Sequence, residues 1–183
     1  MKININSATL ELVEGDITKQ NTEAIANAAN SGLAGGGGVD GAIHGAGGPK
    51  IIEECRKIGG CPTGEARLTT GGNLKARYVL HAVGPVYRGG DKGEPELLKG
   101  AYFSCLKLAS EYSIKTIAFP SISTGVYGYP LEEAAKIALL TVIDYLKSHG
   151  EINLIRFVLF GSEPYNTYEK VLKEIQISKP NGL

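Results

Sequence analysis

An α/β fold, with a mixed sheet and helices on both sides, is what this 183-residue sequence predicts. Three observations carry the prediction. Strand-like runs alternate along the chain with helix-like segments. The run Leu154 to Phe160 is almost continuously apolar, broken only by Arg156, as suits a strand covered on both faces. Two glycine-rich loops, Asn27 to Gly41 and Pro120 to Gly128, each follow a short apolar run and precede a helix-like segment. That is the layout of an anion site at a helix N-terminus, beyond the carboxyl ends of strands.

The elements follow in order. Ile3–Ile5 and Thr9–Val13 alternate apolar with polar residues and read as a hairpin turning at Asn6-Ser7-Ala8, which makes the sheet mixed. Gly15 to Thr18 reads as a loop. Ala24–Ala29 is a buried strand of small residues. Val39–Ala46 and Pro49–Ile58 read as short helices, the second with proline in its first turn. Glu65–Thr70 and Tyr78–Val83 are strands around a Gly71-Gly72-Asn73 turn. Pro95–Tyr112 is helical, with Leu98, Ala101, Tyr102, Cys105, Leu108 and Ala109 on one face. Thr116–Phe119 is a strand leading into the second glycine loop. Leu131–Lys147 is a helix with Leu131, Ala134, Ala135, Ala138, Leu139, Val142 and Leu146 at helical spacing. Pro164 to Ile175 is the last helix. Residues 1–177 read as one domain and 178–183 as a frayed tail.

Composition narrows the function. Lys+Arg equals Asp+Glu, at 19 each, so nothing draws the chain generally to nucleic acid or an anionic membrane. No signal region and no membrane span is expected. Cys55, Cys61 and Cys105 are odd in number and lack zinc-ligand spacing, which fits reduced thiols in a cytoplasmic protein. The histidines do not cluster with the cysteines along the chain, so no metal site is expected. No cofactor is expected either.

The glycine loops hold the candidate chemistry. Neither carries Lys or Arg, so phosphate donors there would be backbone amides. Neither is a P-loop or a G-x-G-x-x-G fingerprint. Two such loops suggest a diphosphate held from both sides. Asp40 and His44 are four residues apart at a helix start and share a face. Asp40 can orient or deprotonate a water and His44 can bond a substrate oxygen, or the two can be a helix cap and a packed histidine. Asp16 is either an acceptor for an exocyclic amine or a turn cap. Asn30 either contacts a sugar hydroxyl or closes an Asx turn. Phe160 either stacks on a base or closes the core. His81, within a strand, reads as structural.

Together these stretches resemble the macro domain family, in its MacroD-type branch. The matching stretches are Gly15-Asp16-Ile17-Thr18, Asn27-Ala28-Ala29-Asn30-Ser31, Gly35 to His44, Thr63-Gly64-Glu65-Ala66, His81 to Pro85 and Ala118 to Pro130. The resemblance implies a three-layer α/β/α macro domain with a mixed, mostly parallel central sheet and an ADP-ribose cleft. It implies that Asp16 and Ile17 contact adenine, with Phe160 against the ring. It implies a diphosphate cradle of Gly37, Gly38 and Val39 with Ser121, Thr124, Gly125, Val126 and Tyr127. Asn30 and Asp40 match residues around the distal ribose, with His44 close behind. Gly45 stands where many relatives carry Arg.

The implied activity is removal of ADP-ribose from acidic side chains of mono-ADP-ribosylated proteins and deacetylation of O-acetyl-ADP-ribose. The partners implied are therefore ADP-ribose, O-acetyl-ADP-ribose and the modified proteins. A water held between a diphosphate oxygen and Asp40 would attack, with Asp40, Asn30 and His44 as the catalytic set. The competing reading is a non-catalytic ADP-ribose reader. Asp40 separates the two, because a reader needs no acid there.

Overall fold

A computed structural model describes residues 1–178. Of the expected tail, Ser178 is the last residue of a helix, and 179–183 lie outside the described residues. The chain forms seven strands and five α-helices: β1 (Lys2–Ile5), β2 (Ala8–Glu14), β3 (Ala24–Ala28), α1 (Gly38–Gly47), α2 (Pro49–Ile58), β4 (Ala66–Thr70), β5 (Tyr78–Ala82), α3 (Glu94–Glu111), β6 (Thr116–Phe119), α4 (Leu131–Ser148), β7 (Leu154–Leu159) and α5 (Ser162–Ser178). A short 3-10 turn, Ile17–Lys19, follows β2 where a plain loop was expected.

Local chemistry explains several boundaries. The β1–β2 hairpin turns on Asn6 and Ser7, with Asn6 at φ +52°, a conformation asparagine tolerates. Proline opens α2, and Gly59, at φ +87°, closes it by donating its N–H to Cys55 O at 2.9 Å. α5 starts at Ser162, ahead of Pro164, because proline is tolerated in a first turn.

The sheet order is β1-β2-β7-β6-β3-β5-β4. The pairs β2–β7, β7–β6, β6–β3 and β3–β5 are parallel. Only the edge strands β1 and β4 run antiparallel. Side chains alternate between two cores, as a period of two requires. Ala24, Ala26, Ile117 and Phe119 join α3, α4 and α5 in the larger core. Ile25, Val79, Ala118 and Val158 join α1, α2 and Ile17 in the smaller one. The result is the expected three-layer α/β/α architecture.

Two side-chain readings are refined. On α3, Leu106 is fully buried while Leu108 is only partly so. α3 packs on α4 as well as on β4 and β5, so its apolar face is wider than one stripe. β7 ends at Leu159, and Phe160 beyond it is 86% exposed, so its ring does not close the core.

Candidate functional site

The four parallel strands β2, β7, β6 and β3 are consecutive neighbours, so their carboxyl ends form one row along a single edge of the sheet. Asp16 and Ile17 leave β2. Phe160 leaves β7. Residues 120–128 leave β6, and residues 29–41 leave β3. The row from β2 to β3 spans three strand spacings, about 14 Å. Every predicted site residue lies on a segment that leaves this row, except His44, which follows one turn on in α1. In a sheet of this kind the crevice beyond the carboxyl ends is where ligands sit.

At the β2 end, the Gly15 N–H donates to Leu159 O at 2.9 Å, which holds the two strand exits at one level. Asp16 caps the 3-10 turn. Its Oδ1 accepts from Thr18 N at 2.8 Å and Thr18 Oγ1 at 2.7 Å, and these bonds hold the carboxyl below its usual range. Both bonds fall on Oδ1, leaving Oδ2 for another donor. The Ile17 side chain is buried in the smaller core, so only its backbone is offered to the crevice. Phe160 stands exposed beside them.

At β6, buried tyrosines brace the second glycine loop. The Tyr102 hydroxyl accepts from Ile122 N at 2.9 Å and donates to Pro120 O at 3.2 Å. The Tyr168 hydroxyl donates to Ser121 Oγ at 2.9 Å. Burial keeps both phenols protonated, Tyr168 pushed up to about 12 and Tyr102 well above its ordinary value. The Thr124 hydroxyl lies 3.0 Å from Ser121 Oγ and 3.1 Å from Ser121 O. The hydroxyls of Ser121 and Thr124 therefore shape the loop. Its donors point elsewhere: among the described residues, the backbone N–H groups from Ser123 to Tyr127 have no partner within the protein. Val126 is fully exposed, and Tyr127 O accepts from Tyr87 N at 2.8 Å.

At β3, Asn30 closes the first glycine loop. Its Nδ2 donates to Gly35 O at 2.8 Å and its Oδ1 accepts from Ala34 N at 3.0 Å. From Gly35 to Asp40 the backbone N–H groups again have no partner among the described residues. They end at the N-terminus of α1, where the helix dipole favours an anion. Gly38 turns the chain into α1 at φ +57°. A Cβ built on Gly37, Gly38 or Gly125 would meet nothing within 4 Å. Packing within the protein therefore does not explain the absence of side chains at Gly37 and Gly125.

Asp40 lies in the first turn of α1 and is 6% exposed. Its Oδ1 accepts from Asn27 Nδ2 at 2.6 Å and lies 3.3 Å from His44 Nε2. Its Oδ2 faces Gly36: a Cβ built there would lie 3.3 Å from Asp40 Oδ2 and 3.9 Å from Asn30 Nδ2. Gly45, one residue after His44, is exposed with open space around its α-carbon.

The expected separation of histidines from cysteines does not hold. His44, Cys55 and His81 bring potential ligand atoms within 4.8 Å of one another. Sequence spacing gave no warning, because α1, α2 and β5 meet only through packing. The donor set fits a metal poorly. His81 uses Nδ1 with Asn27 and Nε2 with Thr69. Burial, then Asp40 and Glu54, push the Cys55 thiol up to about 11, which opposes the thiolate a metal needs.

Sequence reasoning missed Asn27, Tyr102 and Tyr168, and took His81 as structural. A signal for two of them existed: Asn27 and His81 each interrupt an otherwise apolar strand. A concavity of about 610 Å³ between the α1–α2 junction and the β4–β5 turn contains none of the predicted residues. No helix of the described residues is long and apolar enough to cross a membrane.

The comparisons with known proteins agree with this geometry. A family model described as Macro domain matches residues 26–138, which carry the first glycine loop, Asp40 and the second loop. A macro domain-containing protein of Caldanaerobacter subterraneus is 57% identical, covering 91% of this chain and 97% of its own length. An O-acetyl-ADP-ribose deacetylase of Escherichia fergusonii is 49% identical, covering 90% of this chain and 96% of that protein. The solved macrodomain of Oceanobacillus iheyensis with ADP superposes with a TM-score of 0.94 at 46% identity, covering 98% of this chain and 97% of that one. With this identity across nearly its full length, and with both glycine loops at the ends of adjacent parallel strands, the chain belongs to the macro domain family.

Proposed function

We propose that this chain binds ADP-ribose along the row of strand ends and hydrolyses the ester joining its distal ribose to an acyl group. The substrates are O-acetyl-ADP-ribose and proteins carrying mono-ADP-ribose on Asp or Glu. One observation carries the reading. Two runs of unpartnered backbone N–H groups lie on the ends of neighbouring strands, and a buried carboxylate stands at one end of the row. The amides suit a diphosphate. Asp16 and the exposed Phe160 suit adenine at the β2–β7 end. Asn30 and Asp40 then fall at the distal ribose. Relatives about 50% identical are named O-acetyl-ADP-ribose deacetylases, and a similar macrodomain of Trypanosoma brucei was solved with ADP-ribose.

The chemistry needs little machinery. A water near Asp40 Oδ2 bonds through its oxygen to the electrophilic carbon of the ester. Its proton passes to Asp40 or to a diphosphate oxygen of the ligand. The bond between that carbon and the ester oxygen breaks, and the departing oxygen takes back the proton that the water gave up. The products are free ADP-ribose and a carboxylic acid. Cys55, Cys61 and Cys105 are buried, so none offers a nucleophile to the crevice.

The test is turnover of O-acetyl-ADP-ribose and of a Glu-linked ADP-ribosylated protein, with released ADP-ribose and acid quantified by chromatography. Wild type turns over both. Asp40→Ala slows release by about 100-fold or more, the scale of a lost positioned proton acceptor. Serine-linked ADP-ribose is a poor substrate, because an alkoxide leaves less readily than a carboxylate. Wild type that binds ADP-ribose tightly but releases nothing is a reader.

A further inference from the structure

Beneath Asp40 a chain of buried polar side chains runs into the sheet. Asn27 on β3 and His81 on β5 are partners in the parallel register, and both are fully buried. They share the sheet face of Ile25 and Val79, the face covered by α1 and α2. Thr69 on β4, 2% exposed, continues the chain.

Chemistry sets the direction of every bond. A carboxylate only accepts. Asn27 therefore presents Nδ2 to Asp40 Oδ1, at 2.6 Å. The same Nδ2 lies 3.1 Å from His81 Nδ1, which must accept its second proton. The His81 proton then sits on Nε2, an assignment made from these partners. It is donated to Thr69 Oγ1 at 2.8 Å, and the Thr69 hydroxyl donates to Thr70 O at 3.0 Å. Turning the Asn27 amide over would set its oxygen against the carboxylate. A proton on His81 Nδ1 would set donor against donor. Burial, with His44 adding to it, holds His81 neutral, its pKa down to about 3.

This arrangement carries a cost to the fold. Asn27 Oδ1 and His44 Nδ1 are buried with no partner among the described residues. An unpartnered buried acceptor is unfavourable. Apolar residues at 27 and 81 would continue the alternation of Ile25 and Val79 without it. The arrangement is explained by what it does to Asp40: it occupies Oδ1 and leaves Oδ2 turned toward Gly36, where Asn30 Nδ2 also arrives.

We propose that Asn27 and His81 are positioning residues for hydrolysis: they lock Asp40 through Oδ1, so that Oδ2 is the carboxylate oxygen turned to the attacking water. This rests on the hydrolytic role assigned to Asp40 above. Neither residue touches the ligand; both act through Asp40.

The experiment measures kcat and KM for O-acetyl-ADP-ribose, calorimetric affinity for ADP-ribose and thermal stability. The variants are Asn27→Ala, His81→Leu and His81→Gln, each alone and combined with Asp40→Ala. Asn27→Ala and His81→Leu lower kcat by about 10- to 100-fold, the scale of a misplaced reacting group. KM and ADP-ribose affinity change less than about threefold, since the two side chains are buried beneath Asp40 and the adenine end and the second glycine loop lie on other strands. His81→Gln restores most of kcat, because its side chain can accept from Asn27 and donate to Thr69. On the Asp40→Ala background the same changes cost nothing further, the mark of residues acting through one group.

Unchanged kcat in Asn27→Ala, with Asp40→Ala impaired, overturns the inference and leaves the hydrolytic reading standing. So does an equal loss with and without Asp40, or a loss of affinity in step with melting. Should Asn27→Ala not fold, the contrast between His81→Leu and His81→Gln decides, with equal turnover in the two counting against the inference. Normal turnover by Asp40→Ala removes the hydrolytic reading, and this inference with it.

Discussion

Asn30 and Asp40 flank the α-carbon of Gly36, with Asn30 Nδ2 and Asp40 Oδ2 at 3.9 and 3.3 Å from where a Cβ would stand. One is a donor fixed by its own loop, through Gly35 O and Ala34 N. The other is an acceptor fixed from below, through Asn27. A donor and an acceptor held this close suit a ribose hydroxyl and a water. Each is immobilised by bonds made with the protein alone, so ligand binding need not order them.

Asp40→Asn separates proton acceptance from shape. The amide oxygen still accepts from Asn27, and the volume is unchanged. If Asp40 takes the water's proton, turnover of O-acetyl-ADP-ribose falls about as far as in Asp40→Ala, roughly 100-fold. ADP-ribose affinity by calorimetry stays near wild type. Turnover within a few fold of wild type would show that Asp40 only positions.

Gly125→Glu probes the second loop. Gly125 is not in the left-handed region and has nothing within 4 Å of its would-be Cβ, so the fold accepts a side chain. Far-UV circular dichroism and melting temperature stay unchanged. Binding of ADP-ribose is abolished by bulk and by repulsion between anions. Normal binding would remove the loop from the diphosphate site.

Phe160→Ala probes the adenine end. The ring is 86% exposed, so stability hardly changes. ADP-ribose binding weakens by about 1–3 kcal/mol, the range for stacking of a base on an aromatic ring. A ribose phosphate without the base is indifferent to the change. A drop in melting temperature with no change in affinity would contradict this placement.

His81 makes stability depend on pH. Its folded pKa is lowered to about 3 by burial, against about 6.5 in the unfolded chain. Between those values the unfolded state binds the extra proton, so stability is fully present above about pH 6.5 and is lost as pH falls toward 3. The loss approaches about 1.4 kcal/mol per pH unit at its steepest. Denaturant melts at pH 7, 6 and 5 should show it, and His81→Gln should flatten the slope. Equal slopes in the two proteins would show that His81 does not stay neutral on folding. The pH 5 to 7 interval of these melts lies above the range where carboxylates held low, such as Asp16 and Glu11, begin to contribute.

Local signals in the sequence determined much of this protein. Proline and glycine punctuation delimited Pro49–Ile58, and β-branched and aromatic residues delimited Thr116–Phe119. Helical spacing marked the buried face of α4 through Ala134, Ala138 and Val142. These depend on propensities and periods within a few residues, so they can be read without the fold. The first glycine loop was legible for the same reason: a backbone that must expose its amides needs glycine in consecutive places, whereas Asp40 on its own read equally as a helix cap.

Strand order was decided only by the tertiary structure. Nothing local states that β7 inserts between β2 and β6, which sets Phe160 beside Asp16, or that β6 pairs with β3, which puts both glycine loops on neighbouring strands. The pairing of Asn27 with His81 spans 54 residues, and Cys55 reaches them from a third element. Phe160 read equally as core or as a stacking ring until β7 ended one residue before it. The reason is physical. Periodicity fixes which face of an element is apolar, whereas the neighbour it meets is chosen by packing all elements at once, and a buried hydrogen-bond network exists only after that choice is made.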